Sequence, residues 1–127
     1  MELLLDTHAF LWWLNDDSRL GLKARAAIAD VENGVLVSAA TAWEIALKRA
    51  SGKLEAPGDV SEWITRSQFA DLPISVGHAV AAAELPRHHN DPFDRMLVAQ
   101  AQLEEVTLVA HDHELAKYNV AILDAAE

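Results

Sequence analysis

The stretch HNDPFDRMLVA, residues 89–99, decides the fold of this chain because it marks a loop that turns into a buried helix. Asp91 is a good N-cap residue, and Pro92 follows at the first helical position, where its missing N–H costs nothing. The apolar side chains that come next have helical spacing. Asp94 falls one turn into this helix, on its core side. A carboxylate there is costly unless a charged or hydrogen-bonding group meets it, so the sequence predicts a partner for Asp94.

A structural role is the simpler alternative for Asp94. Asp91 and Asp94 have the spacing of a capping box, in which the Asp94 side chain would reach back to the backbone amide of Asp91. Aspartate is shorter than the glutamate or glutamine usual at that position, so the fit is imperfect. This stretch alone leaves both interpretations open.

Length and composition predict one domain, residues 1–127, with a substantial core, since 51% of the residues are hydrophobic. The absence of cysteine excludes a disulfide framework and thiolate catalysis, and it fits a reducing cytosol. The N-terminal residues lack the basic region and long apolar run of a signal peptide. No apolar run approaches the roughly 18 residues that span a bilayer. We therefore expect a cytoplasmic protein without a membrane partner.

The formal net charge of −10 has the wrong sign for a non-specific binder of duplex DNA. It does not exclude an enzyme that meets phosphate groups through metal ions. It also favours a basic partner protein or segment.

Strands and helices alternate along the chain, which predicts an α/β fold with a mainly parallel sheet flanked by helices. Several local signals predict where elements start and stop: Ser18 as the cap of the second helix, Gly34 as its left-handed end, Thr41 at the start of the third helix, and Pro57–Gly58 as a loop. Strands are predicted at 3–5, 35–38, 72–74 (an edge strand, because of its proline), 106–110 and 120–123, and helices at 7–14, 18–31, 41–50, 60–69, 76–85, from 92, and at 114–117.

Four acids are predicted to meet at the carboxyl edge of this sheet, where ligands bind in open α/β folds. Asp6 and Asp112 follow strands, whereas Glu44 and Asp94 each lie one turn into a helix. Each has a structural alternative. Asp6 and Asp112 could cap helices, and Glu44 could complete a capping box with Thr41 or pair with Lys48.

Together the four carboxylates would repel one another, and no lysine or arginine adjoins the strand-end acids in sequence. A cation resolves this repulsion, and all-oxygen ligands suit Mg²⁺ or Mn²⁺ rather than Zn²⁺. Such a site activates water and stabilises phosphoryl charge. The predicted reaction is phosphodiester hydrolysis, for which no side-chain nucleophile is needed.

The chain resembles a PIN domain, most of all the VapC-type ribonuclease toxins of prokaryotic toxin–antitoxin pairs. The resemblance covers nearly the whole chain in family-like order. It rests on the segments LLDTH (4–8), SAATAWEI (38–45), HNDPFDRML (89–97) and LVAHD (108–112).

The resemblance implies a PIN-like α/β/α sandwich in which Asp6, Glu44, Asp94 and Asp112 bind the metal of a Mg²⁺- or Mn²⁺-dependent endoribonuclease. It also implies an RNA substrate, a homodimer, and a cognate antitoxin that covers the site; DNA would be contacted only through the antitoxin. Relatives often carry threonine or serine two residues before the last acid, where this chain has Ala110. Thr7 and Ser38 remain as candidate hydroxyl donors.

Other residues near the predicted site keep two interpretations each. Asp91 is an N-cap that at most supports a metal ligand from behind. Arg95 could pair with Asp91 or hold a scissile phosphate. His88 and His89 suggest a transition-metal site without a convincing third ligand, or loop positions that contact RNA.

Two other functions compete with the nuclease. A receiver-like phosphoacceptor module has a similar length and an acidic Mg²⁺ pocket, but this chain lacks paired acids after its first strand and a lysine after a late one. A catalytically silent PIN-like binding module would use the four acids only as helix caps.

Overall fold

The computed structural model describes residues 1–55 and 58–127, so the predicted loop residue Pro57 lies outside the described residues. Five parallel strands form one sheet in the order β3-β2-β1-β4-β5. The α/β class with a parallel sheet is thus confirmed. The strands are β1 Glu2–Leu5, β2 Gly34–Ser38, β3 Ala70–Leu72, β4 Thr107–Ala110 and β5 Ile122–Asp124. The helices are α1 Thr7–Leu14, α2 Leu22–Ala29, α3 Ala39–Ala50, α4 Val60–Arg66, α5 Val76–Glu84 and α6 Pro92–Glu104, with a 3₁₀ helix at His113–Lys117.

Helices cover both faces of the sheet, as an α/β/α sandwich requires. The central strand β1 is an apolar run whose side chains alternate between two cores: Leu3 and Leu5 contribute to one, and Leu4 to the other. The first core includes Phe10 of α1, and the second includes Leu97 of α6. This double burial places the carboxyl end of β1 in the middle of the molecule.

The start of α6 follows the predicted local rules. Asp91 is the N-cap, with its Oδ1 accepting hydrogen bonds from the backbone N–H groups of Phe93 (2.8 Å) and Asp94 (3.3 Å), and Pro92 occupies the first turn. The backbone N–H of Asp94 is therefore satisfied by Asp91, and the Asp94 carboxylate is available for another contact.

The predicted cap of α2 was wrong, because α2 begins at Leu22 after the N-cap residue Gly21 and not at Ser18. The backbone oxygen of Glu127 accepts hydrogen bonds from the N–H groups of Lys23 (2.7 Å) and Ala24 (3.2 Å). A Cβ at Gly21 would lie 1.8 Å from the Glu127 carbonyl carbon, so only glycine permits this approach. The C-terminal backbone thus accepts the hydrogen bonds of the first N–H groups of α2, in place of a local side chain.

Two further element boundaries differ from their predictions. Gly34 is the first residue of β2 and does not end α2, which stops at Ala29. Helix α3 begins at Ala39 with Ser38 as its cap, so the predicted Thr41–Glu44 capping box is wrong.

The edge strand β3 lies two residues earlier than predicted. It spans Ala70–Leu72 and pairs only with β2, so the predicted position at the edge of the sheet is confirmed.

Candidate metal centre

Asp6 is held rigidly at the junction of β1 and α1. Its Oδ1 accepts a hydrogen bond from the Ala9 backbone N–H (2.7 Å), which confirms the capping alternative. Its Oδ2 accepts a second bond, from the His111 backbone N–H (2.9 Å) just beyond β4. The residue is only 2% exposed. Asp6 therefore caps a helix and at the same time joins the ends of two neighbouring strands.

Burial raises the pKa of Asp6 from 3.8 to about 6, although the two backbone N–H donors act in the opposite direction. The nearby negative charge of Glu44 raises it further. A carboxyl group in this position is costly to ionise without a cation beside it.

Asp94 meets a histidine rather than its own helix start. Its Oδ2 lies 2.9 Å from Nε2 of His89, and the capping box with Asp91 is not formed. Burial and the neighbouring charge of Asp91 raise the pKa of Asp94 to about 6, while the contact with His89 lowers it. His89 is thus the partner that the sequence requires for Asp94.

Asp112 reaches the same histidine from the other side. It follows β4 and caps the 3₁₀ helix through the Glu114 N–H (2.9 Å), as the structural alternative predicts. Its Oδ2 lies 3.6 Å from His89 Nε2. One ligand atom from each of His89, Asp94 and Asp112 lies within 4.8 Å of the others, a spacing that suits a metal ion.

Glu44 lies beside this group and is neutralised locally. Thr7 Oγ1 donates a 2.5 Å hydrogen bond to its Oε1, and Lys48 Nζ lies 3.1 Å from its Oε2. The predicted Glu44–Lys48 pair is confirmed. Glu44 does not line the cleft, which is formed by Asp6, His8, His89, Asp91, Asp94, His111, Asp112 and His113.

The two candidate hydroxyl donors behave differently. Thr7 donates to Glu44, which places it behind the site. Ser38 caps α3 and donates to Gln100 Oε1 (2.6 Å), and it does not line the cleft. At the family's threonine or serine position, Ala110 is buried and brings no hydroxyl.

Arg95 does neither of the things predicted for it. Its NH1 and NH2 groups donate to the backbone carbonyls of Ala82, Ala83, Leu85, Pro86 and His89, at 2.9–3.4 Å, and to Tyr118 Oη at 3.3 Å. Both terminal nitrogens are engaged inside the protein, so Arg95 is neither the partner of Asp91 nor free to clamp a phosphate. It fixes the loop that carries His89.

Sequence reasoning missed how His89 and Tyr118 contribute. The Tyr118 hydroxyl accepts from the His89 backbone N–H (3.1 Å) and donates to the Pro86 carbonyl (2.8 Å). Nothing in the local pattern around Tyr118 indicates this contact. The sequence did indicate His89 as a possible metal ligand, but Asp94 and Asp112 come to lie beside it only in the folded chain.

The parallel sheet and the acid-lined cleft at its carboxyl edge define an α/β protein with a candidate metal centre. The model of the PIN domain matches residues 3–121, and the chain belongs to the PIN domain family.

Two curated relatives come from Mycobacterium tuberculosis (strain ATCC 25618 / H37Rv). Ribonuclease VapC22 is 30% identical over 122 residues, which cover 91% of this chain and 91% of the relative. Ribonuclease VapC16 is 39% identical over 62 residues; that match covers 47% of this chain and spans 44% of the relative's length.

Solved structures share the fold. The VapBC2 complex of Rickettsia felis, bound to a DNA fragment from its promoter, contains a chain with a TM-score of 0.67 and 14% identity, covering 97% of this chain and 98% of that one. A toxin–antitoxin complex from Klebsiella pneumoniae gives a TM-score of 0.64 at 17% identity and covers 97% of both chains. Among the described residues, no helix has the length and apolar character to cross a membrane.

Proposed function

We propose that this chain is a divalent-metal-dependent endoribonuclease that acts as the toxin of a toxin–antitoxin pair. The observation that carries the proposal is the convergence of Asp94, Asp112 and His89 in a cleft that buried Asp6 also lines. Membership of the PIN domain family and the two relatives named as ribonucleases support the choice of RNA as substrate.

The residues of the cleft fit a Mg²⁺ or Mn²⁺ ion. Asp6 and Asp94 are carboxyl groups whose pKa burial raises to about 6, and a cation beside them would offset that cost. We assign the direct contacts to Asp94 and Asp112, and Asp6 adds negative charge to the cleft. Glu44 lies behind the cleft, where it is paired with Lys48. When bound, the ion supplies an activated water and stabilises the charge of the phosphoryl group.

The protein contributes fixed positions for these groups. Two backbone N–H groups hold the Asp6 carboxylate, so it cannot rotate away from the cleft. The Thr7 hydroxyl and the Lys48 ammonium hold Glu44 from behind. Asp91 caps α6 and thereby fixes the first turn that carries Asp94. Preorganisation of this kind removes the cost of arranging charged groups at the moment of reaction.

The proposal includes partners and a location. An acidic toxin with a net charge of −10 suits a basic antitoxin segment that covers the cleft. DNA would be contacted only through that antitoxin. Trp43 is 60% exposed and Leu47 47% exposed on α3, which supports an apolar interface with a second copy in a homodimer. We place this single domain, residues 1–127, in the cytoplasm.

The test is RNA cleavage by the protein without antitoxin, in Mn²⁺ or Mg²⁺ and again after EDTA. The Asp94→Asn variant removes one charge from the cleft. Asp71→Asn is the matched control because Asp71 is an exposed acid of the edge strand β3 and does not line the cleft. We expect metal-dependent cleavage by the wild type and by Asp71→Asn, and none by Asp94→Asn.

Cleavage that persists in Asp94→Asn would count against the assigned site. A protein that binds neither metal nor RNA would instead support the catalytically silent module. Membership of the PIN domain family argues against the receiver-like alternative.

A further inference from the structure

We propose that His89 is a metal ligand, and that it gives this centre a preference for Mn²⁺ and other transition ions over Mg²⁺. This inference rests on the proposed metal-dependent function and deepens it. Its basis is the place of His89 Nε2 between two acids, 2.9 Å from Asp94 Oδ2 and 3.6 Å from Asp112 Oδ2.

The three ligand atoms form a compact group. All lie within 4.8 Å of one another, and the His89 side chain is only 18% exposed. Two oxygens and one imidazole nitrogen provide a mixed ligand set. The sequence offered two histidines without a convincing third ligand. The fold places two carboxylates beside one of them, His89: Asp94 from α6 and Asp112 from the end of β4.

The loop that carries His89 is built to hold it in place. The His89 backbone N–H donates to Tyr118 Oη (3.1 Å), and its carbonyl accepts from Arg95 NH1 (3.3 Å). Arg95 also binds the carbonyls of residues 82, 83, 85 and 86, so it fixes the backbone on the N-terminal side of this histidine. Both backbone groups of His89 are thus anchored, and its ring is presented to the acids by a fixed backbone.

His88 shows that adjacency in sequence does not bring a histidine into the site. Its ring packs edge-on against Tyr118 with centroids 5.1 Å apart, and it does not line the cleft. The two neighbouring histidines therefore have different environments. Of the two, His89 lies beside Asp94 and Asp112, and His88 does not.

The chemistry of the ions gives the expected selectivity. Mg²⁺ is a hard cation that prefers oxygen ligands and keeps several waters. Imidazole nitrogen suits later transition ions, whose affinity for such sites rises from Mn²⁺ onward. A site with one imidazole ligand should favour Mn²⁺ over Mg²⁺ more than four carboxylates would.

The experiment measures Mn²⁺ ligation directly by pulsed electron paramagnetic resonance, which detects coupling of the ion to an imidazole ¹⁴N. Binding constants for Mn²⁺ and Mg²⁺ are measured by calorimetry on the same samples. The variants are His89→Ala and His89→Gln, with His88→Ala as the matched control. Glutamine retains a hydrogen-bond donor for Asp94, so a merely structural role of His89 would survive that substitution.

We expect the ¹⁴N coupling in the wild type and in His88→Ala, and its loss in both His89 variants. Mn²⁺ affinity should fall by about tenfold or more in His89→Ala, in line with the effects of altering metal-site side chains. Mg²⁺ affinity should change much less.

Mn²⁺ that binds without ¹⁴N coupling, or coupling that survives both His89 variants, would overturn the assignment of His89. The metal-dependent nuclease would then still be supported by loss of Mn²⁺ binding in Asp94→Asn. A wild-type protein that binds neither ion would overturn both proposals.

Discussion

Asp6→Asn should stabilise the metal-free protein at neutral pH, and the gain should disappear in acid. The pKa of Asp6 is 3.8 in the unfolded chain and about 6 when folded, because the carboxyl group is buried. A raised carboxyl pKa means that the folded state binds the proton more tightly. The free energy of unfolding therefore falls as pH rises through this window and is lowest above it.

The magnitude follows from the two pKa values. At about pH 7 the ionised Asp6 side chain costs the folded state about 3 kcal/mol, of which about 2 kcal/mol develops between roughly pH 4.5 and 7. Asparagine removes this cost but offers one acceptor oxygen for two donors, the Ala9 and His111 N–H groups. One donor left without its acceptor costs about 1–2 kcal/mol. The net gain at neutral pH is about 1 kcal/mol or more.

Urea unfolding, followed by tryptophan fluorescence in EDTA across this pH range, measures the effect. The quantity to examine is the difference in free energy of unfolding between Asp6→Asn and the wild type, which should grow by about 2 kcal/mol from acid to neutral pH. Asp59→Asn is the control because Asp59 also caps a helix but is exposed. A difference that stays constant with pH would refute the burial cost assigned to Asp6.

Three further predictions concern the support of the fold and the site. Arg95→Lys should destabilise the protein by about 2 kcal/mol, measured by urea unfolding, because lysine cannot reproduce the forked contacts to the backbone of residues 82–89; an unchanged stability would contradict the structural role of Arg95. Gly21→Ala should lower the free energy of unfolding by about 1–3 kcal/mol, because its Cβ would overlap the Glu127 backbone; a neutral effect would show that the Glu127 backbone does not pack there. Mn²⁺ at about a hundred times its Kd should stabilise the wild type by about 2.7 kcal/mol in thermal unfolding, and Asp94→Asn far less; equal stabilisation of both would place the ion elsewhere.

Signals confined to a few neighbouring residues predicted their local structure well. The apolar run of β1 and the Asp91–Pro92 start of α6 both appear where the sequence places them, because propensity, capping and burial act together there. The same logic gave Asp6 and Asp112 as helix caps. These roles do not conflict with a place in the cleft. Asp112 caps with Oδ1 while its Oδ2 lies near His89, and Asp6 lines the cleft although both of its oxygens accept backbone hydrogen bonds.

Local signals failed where another group, distant or neighbouring, supplied the partner. Ser18 is not a cap because the Glu127 backbone satisfies the start of α2. Thr41 is not a cap because the Ser38 side chain already satisfies the start of α3. Arg95 has an acid at the right spacing in Asp91, yet it binds backbone carbonyls across the loop. The contacts of Glu127 and Arg95 have no signature in a short window of sequence, whereas the Ser38 cap is local and competes with Thr41 three residues later.

The candidate site shows the same division between local and distant determinants. The strands predict that Asp6 and Asp112 lie at the carboxyl edge of the sheet, and Asp94 joins Asp112 there from the first turn of α6. Which group contacts each acid does not follow, because Glu44 contacts Lys48 and Thr7, whereas Asp94 and Asp112 both lie beside His89. His89 contacts Asp94 from the loop before α6, and Lys48 contacts Glu44 from the same face of α3.

Two acids of the cleft are costly to ionise in the folded protein. Burial raises the pKa of Asp6 and of Asp94. The negative charge of Asp91 raises the pKa of Asp94 further, and the contact with His89 lowers it. Arg95 and Tyr118 bind the backbone of His89 and hold its loop in place, and they do not neutralise the charge of those two acids. The terminal nitrogens of Arg95 bind backbone carbonyls and the Tyr118 hydroxyl, and not a carboxylate of the cleft. Its use as a support for the loop leaves the cleft negative, which is what binding of a cation requires.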